Sequence, residues 1–214
     1  NLYTEPEDAG NTYREEIMAQ FKAMIRSERR KADSRRKRYF RPDLSSVQAY
    51  TESIEPYRRQ IKAMLGWPLT LTPEDVPARP KARTKFVAED DLGRITRLWV
   101  ETLPGVETYG LLFIPPGAGP HPLVISQHGG GGTPEYCSEF FPSWNYNDMT
   151  RRVLRRGIAV FAPQLMVWAD NFGPKCDNTD LDNQLKQLGG SYAAFETFRL
   201  QRCLDYLTRR TDID

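Results

Sequence analysis

Residues 124–135 read VISQHGGGGTPE: the end of an apolar run, a histidine, then four consecutive glycines. A run of glycines lets main-chain N–H groups point into a pocket with no Cβ in the way. Such donors stabilise either a phosphate or the oxyanion of an acyl-transfer intermediate. A phosphate site of this kind needs GxGxxG opening a helix, or GxxxxGK[ST] with its lysine. Here Thr133, Pro134 and Glu135 follow, with no lysine and with an acidic residue. The oxyanion reading, with Gly129, Gly130 and Gly131 as donors, is the one that fits. A flexible loop that binds nothing is the plain alternative.

Other reactive side chains are sparse. There are two histidines, His121 and His128, and three cysteines, Cys137, Cys176 and Cys203, with no CxxC. No cluster has metal-ligand spacing, so neither a metal nor a cofactor is expected. An odd, scattered cysteine set points to reduced thiols and a cytoplasmic setting. Cys137 lies near the glycines, but no histidine follows it to act as base, so it reads as a packing or surface thiol. His121 follows Pro120 in a turn and is expected to be exposed. Four aromatic residues complete the candidates: Trp144 and Tyr146 after the glycines, Trp168 and Phe172 after the next apolar strand. Flat side chains there suit stacking on a sugar ring or lining an acyl pocket, or else they pack the loops. Asp170 and Asp177, in the same second loop, read equally as solvated residues or as substrate contacts.

These residues need elements to position them. Residues 123–126 and 158–162 are short apolar strands, residues 148–156 a helix, and residues 191–208 a longer helix with Ala193, Thr197, Leu200, Leu204 and Leu207 on one face. This alternation predicts a right-handed crossover and adjacent parallel strands covered on both sides. The glycines then fall at the carboxyl edge, where open sheets bind ligands. Upstream, residues 85–89, 95–102 and 107–114 read as antiparallel strands joined by tight turns. Residues 67–83 are proline-rich and read as a connector over the surface of the next unit. Residues 1 to about 70 read as helical, with capping spacing at Thr12–Glu15 and Ser45–Gln48. Apolar stripes follow each cap: Ile17, Met18, Phe21, Met24 and Ile25, then Val47, Tyr50, Ile54, Tyr57, Ile61 and Met64. Pro56 bends or restarts the second helix, and Gly66 stops it.

The chain has 214 residues, 39% hydrophobic and 27% charged, with a formal charge of +2. That is ordinary for a globular protein, and no run approaches the ~20 apolar residues of a membrane span. The small net charge hides nine basic residues in 26–41 against Glu28 and Asp33. Without interleaved aromatics the stripe matches no nucleic-acid module, and it reads as a solvated helix face or an interface arm. The first residue is Asn and no signal-peptide pattern is visible, which leaves secretion undecided.

The ordered set resembles a known family. PLVISQHGGGG is similar to the third strand and HGG-type oxyanion loop of the α/β hydrolases. GLLFIPPGAGPHPLVI resembles the strand, turn and strand before that loop, and RRVLRRGIAVFAPQ the helix and strand after it. LGGSYAAFETFRLQRCLDYLTRRTDID resembles the helix leading to the nucleophile strand. The branch it resembles is the acetyl xylan esterase and dienelactone hydrolase group, over about residues 40–214. The resemblance implies a serine esterase without cofactor, acting on a small ester such as an acetylated carbohydrate. It implies that His128 is structural, and that the serine, acid and histidine of the triad come after residue 214.

Ser191 is the exception to weigh, because Gly189-Gly-Ser-Tyr-Ala193 nearly matches the nucleophile turn GxSxG. A nucleophilic serine there must follow a buried strand, and residues 182–188, DNQLKQL, are too polar for one. Ser191 reads instead as a helix N-cap. The expectation is therefore an α/β-hydrolase fold, with 1–83 a helical extension and connector and 84–214 the N-terminal half of the hydrolase domain. The alternative is a non-catalytic binding or assembly module on a half fold. Expected partners are a small ester and a second copy through the helical arm, with no nucleic acid and no membrane.

Overall fold

In a computed structural model that describes residues 2–174 and 177–214, the chain divides into two units, Asn1–Gln60 and Ile61–Asp214. Cys176 lies outside the described residues. The first unit holds helix α1 (Asn11–Tyr39) and most of helix α2 (Val47–Leu65). α1 starts earlier than the Thr12–Glu15 spacing predicts, because a turn over residues 7–10 runs straight into it and Gly10 occupies the N-cap. Ser46, not Ser45, caps α2: its Oγ accepts the Ala49 N–H at 3.0 Å. Pro56 sits inside α2 without ending it. The turn between the helices is fastened by Tyr57, whose hydroxyl donates to the Tyr39 carbonyl at 2.7 Å and accepts the Arg41 N–H at 3.2 Å. α1 buries none of its residues, so its apolar stripe, expected to be a packing face, stands half exposed. Its basic half is solvated, with Glu28 pairing Lys31 and Arg35 and Asp33 pairing Arg36. Among the described residues no helix is long and apolar enough to cross a membrane.

The second unit is built on a five-stranded sheet in the order β1-β2-β3-β5-β4. The strands are β1 (Ala82–Asp90), β2 (Gly93–Leu103), β3 (Val106–Ile114), β4 (Leu123–Ile125) and β5 (Ala159–Pro163). β1, β2 and β3 pair antiparallel, as the two tight turns between them require, and β3 pairs antiparallel with β5. β4 and β5 are the parallel pair, with Leu123 opposite Ala159 and Ile125 opposite Phe161. The helices are α3 (Pro134–Cys137), α4 (Met149–Leu154), α5 (Asn178–Gln187) and α6 (Tyr192–Leu207).

Period-two alternation splits the core between the two faces. Leu98, Val100, Leu112 and Phe161 meet Cys203 and Leu207 of α6, while Leu111, Phe113, Val160 and Ala162 meet Cys137 of α3 and Leu154 of α4. Every residue of β5 is buried, which is why its sequence is a continuous apolar run rather than an alternating one. The proline-rich stretch packs onto α6 through Leu69, against Ala194 and Phe198. Arg202 of α6 is buried and donates to the Pro77 carbonyl at 2.5 Å.

Candidate functional site

β4 runs into the glycines and β5 into residues 164–169, so both segments leave the sheet at one carboxyl edge. They abut there: a Cβ on Gly130 would lie 3.5 Å from Val167, and one on Gly131 3.8 Å from Ala169. Two of the four glycines are required, one by its backbone and one by the side chains around it. Gly131 has φ +81°, a region that side chains rarely adopt. At Gly132 a Cβ would run into the Tyr146 hydroxyl and the His128 side chain. Gly129 has open space around it, its nearest neighbour being that same hydroxyl at 3.9 Å from an added Cβ. Replacing Gly132 with alanine should therefore cost about 1–3 kcal/mol through overpacking, whereas Gly129→Ala should stay within about 0.5 kcal/mol. Urea unfolding followed by tryptophan fluorescence reads the difference. Equal costs at the two positions would mean that Tyr146 does not sit where the structure has it.

The amides of the loop have unequal fates. The Gly129 N–H donates to the Tyr146 hydroxyl at 3.0 Å, and the Gly132 N–H to the Gly129 carbonyl at 3.1 Å. The Gly130 and Gly131 N–H groups have no acceptor among the described residues. Gly130 is exposed and Gly131 half-buried.

His128 holds the loop from beneath. It is 1% exposed, its Nδ1 lies 2.8 Å from the Gly129 carbonyl, and its Nε2 accepts the Leu165 N–H at 3.0 Å. The Gln164 side-chain amide lies 3.1 Å from the same Nε2. A backbone N–H can only donate, so Nε2 carries the lone pair and Nδ1 the proton. Burial keeps this imidazole below its ordinary pKa, against a smaller opposing effect of the Gly129 carbonyl. With both nitrogens engaged, His128 has no lone pair to offer a nucleophile.

The other end of this brace is on α6. Glu196 accepts the Met166 N–H at 2.7 Å, and Arg199 donates from Nη2 to the Gln164 carbonyl at 3.1 Å and from Nε to Thr108 Oγ1 at 2.9 Å. Arg199 also pairs with Glu196 at 3.2 Å. The helix thus fixes residues 164–166, these fix His128, and His128 fixes Gly129. No pattern in the sequence marks Arg199 and Glu196, whose i,i+3 spacing is that of any helical ion pair.

A second brace follows the glycines. Glu135 accepts from Arg97 at 2.8 Å and from the Tyr109 hydroxyl, and Arg97 also donates to that hydroxyl. Burial first, and then the Glu135 carboxylate, push the Tyr109 phenol above its ordinary pKa. Thr133 caps α3 by accepting the Tyr136 N–H at 3.1 Å.

The aromatic candidates separate. Tyr146 and Phe172 are joined through Tyr136, at ring distances of 5.3 and 5.6 Å, and Phe141 stacks on Tyr136 at 5.5 Å. Tyr136 and Phe141 belong to this cluster and were not singled out from sequence, since nothing in their spacing marks them. Trp144 is 90% exposed, and Trp168 is half-buried with Nε1 donating to the Pro174 carbonyl at 2.9 Å. Neither makes a ring contact among the described residues. Asp170 opens a short 3-10 turn, and Asp177 caps α5 by accepting the Thr179 and Asp180 N–H groups.

Ser191 caps α6: its Oγ accepts the Ala194 N–H at 3.1 Å and donates to the Leu65 carbonyl at 2.8 Å. α5, not a strand, precedes it, as the polarity of residues 182–188 predicts. His121, expected to be exposed, is instead buried. Its main chain is bonded on both sides to the segment 212–214, and its Nδ1 lies 3.2 Å from the Gly157 carbonyl. Cys137 is fully buried and burial raises its thiol pKa, while that of Cys203 is pushed up to about 12, again by burial. Neither is a thiolate nucleophile at neutral pH.

No family model matches the sequence. No curated protein matches it either. Solved structures do. A Bacteroides fragilis protein assigned as an acetyl xylan esterase superposes with a TM-score of 0.62 at 15% identity, over 83% of this chain and 49% of that one. Acetyl xylan esterase 1 from Thermoanaerobacterium sp. gives 0.49 at 13% identity, over 76% and 48%. The esterase from Paenibacillus sp. R4 gives 0.46 at 16%, over 82% and 51%. The first likeness shows the fold alone, of the α/β-hydrolase type, shared with about half of that structure. The chain spans about half the length of these structures.

Proposed function

We infer that this chain supplies the oxyanion-binding part of a serine carboxylic ester hydrolase that acts on small acyl esters, including acetylated carbohydrates. The observation that carries this reading is the pair of N–H groups at Gly130 and Gly131 that have no partner among the described residues, braced from below by a neutral His128. Donors held in place before reaction cost no reorganisation when charge develops on the substrate oxygen. The partly exposed cluster of Tyr136, Phe141, Tyr146 and Phe172 suits an acyl group or a sugar face.

Among the described residues no serine is hydrogen-bonded to a histidine: His128 is used at both nitrogens, His121 lies buried against the Gly157 carbonyl, and Ser191 is used as a cap. The nucleophile, acid and base of this reading therefore belong to residues other than these. The alternative, a binding or assembly module, draws on α1, whose apolar stripe and basic half are both exposed.

The 214-residue chain alone should hydrolyse p-nitrophenyl acetate no faster than an inert protein, and a fluorophosphonate probe should not label it. Losing a triad leaves at most about 10³–10⁴-fold over water even in an intact site. Joining the chain to a segment that carries GxSxG, an acid and a histidine should restore turnover. Labelling of Ser191 in the isolated chain would overturn the assignment.

A further inference from the structure

We propose that the Tyr146 hydroxyl is itself an oxyanion donor, taking the place that the Gly129 amide would otherwise fill. This rests on the ester-hydrolase reading of the same loop and changes which groups perform it. The Gly129 N–H points at the Tyr146 oxygen, 3.0 Å away, so this amide is engaged before any ligand arrives. A phenol that accepts one hydrogen bond still has its own proton to give. That proton has no acceptor among the described residues, and Tyr146 is only partly buried. Accepting from Gly129 polarises the O–H bond and makes it a stronger donor. The amide thus acts on the ligand through the phenol.

The position of the hydroxyl is held from several sides. Gly132 lacks the Cβ that would occupy its place. The Tyr146 ring stands edge-on to Tyr136 at 5.3 Å. Its N–H donates to Ser143 Oγ at 3.2 Å, and Glu139 gathers both the Ser143 hydroxyl, at 2.9 Å, and the Asp148 N–H, at 3.3 Å. Among the described residues, the non-glycine residues with positive φ are Glu139, Asn147 and Asp148, all in this one segment. Asn and Asp adopt that conformation more readily than Glu, so the left-handed turns that deliver Tyr146 cost most at Glu139. Its phenol pKa is raised, chiefly by burial, so the proton needed for donation stays in place at neutral pH.

The ligand class is an oxygen that carries or develops negative charge on a small carbonyl compound, and acetate is the probe. In ¹⁵N NMR titrations of the 214-residue chain at constant ionic strength, acetate should shift the Gly130 and Gly131 amides. Tyr146→Phe should weaken the affinity roughly tenfold. Because the phenylalanine also removes the acceptor for Gly129, 3-fluorotyrosine at position 146 provides the second measurement. It makes the phenol a better donor and a poorer acceptor. Tighter acetate binding supports donation to the ligand; unchanged or weaker binding means that the tyrosine merely props the loop, and overturns the proposal. Glycine shifts with an affinity unaltered by Tyr146→Phe would also overturn it, while leaving the oxyanion reading of the loop intact. No acetate-dependent shift at either glycine would remove both.

Discussion

Replacing Arg199 with methionine should destabilise the second unit by about 3–5 kcal/mol, the usual cost of removing one partner from a buried ion pair. The guanidinium and the Glu196 carboxylate have side-chain exposures of 5% and 14%, so solvent can compensate little of the loss. Methionine keeps the volume and removes only the charge and the donors. What remains is a carboxylate without its counter-ion, and a Thr108 hydroxyl and a Gln164 carbonyl without their donor. All four tryptophans, Trp67, Trp99, Trp144 and Trp168, lie in the second unit, so their fluorescence in a urea titration reports on that unit alone. Glu196→Gln should cost less, and the double variant should recover part of the Arg199→Met loss. A cost below about 1 kcal/mol would mean that the pair is solvated and is not the brace described above.

The second large effect is at His128. Leucine there would strand the Leu165 N–H in a buried place and take their partner from the Gly129 carbonyl and the Gln164 amide, which still donates to the Leu165 carbonyl, at a cost of about 1–3 kcal/mol. The same residue sets a pH dependence whose sign follows from its lowered pKa. The unfolded chain takes up a proton near pH 6.5, while folded His128 still resists it. Stability from this residue is thus complete above about pH 6.5 and is lost as pH falls below it, towards the folded pKa. The slope is at most about 1.4 kcal/mol per pH unit. His128→Gln keeps a donor and an acceptor and cannot titrate, so its acid limb should be flatter than that of the native protein. Parallel limbs for the two proteins would show that His128 accepts its proton in the folded state, contrary to the hydrogen bond from Leu165.

The elements were largely readable because each rests on a local cause. Alternation and tight turns define β1–β3, and the continuous apolar run of residues 159–162 marks a strand buried on both faces. The polarity of residues 182–188 rules out a strand before Ser191 and leaves it as a cap. Glycine's freedom at φ > 0 places a tight loop at residues 129–132, and the missing lysine argues against a phosphate loop there. Helix starts were less legible, since Gly10 and Ser46 take the caps that near-equivalent neighbours could have filled. What depends on distant residues was not legible at all. That the Gly129 amide is already taken, that His121 is buried against residues 212–214, and that Arg199 fixes Gln164 all depend on which side chains meet across the sheet. Spacing along a chain fixes the direction in which a residue points. Only the packing of β4, β5, α6 and the 139–148 loop decides which hydrogen-bond partner it finds there, and so which amides of the glycine run remain free.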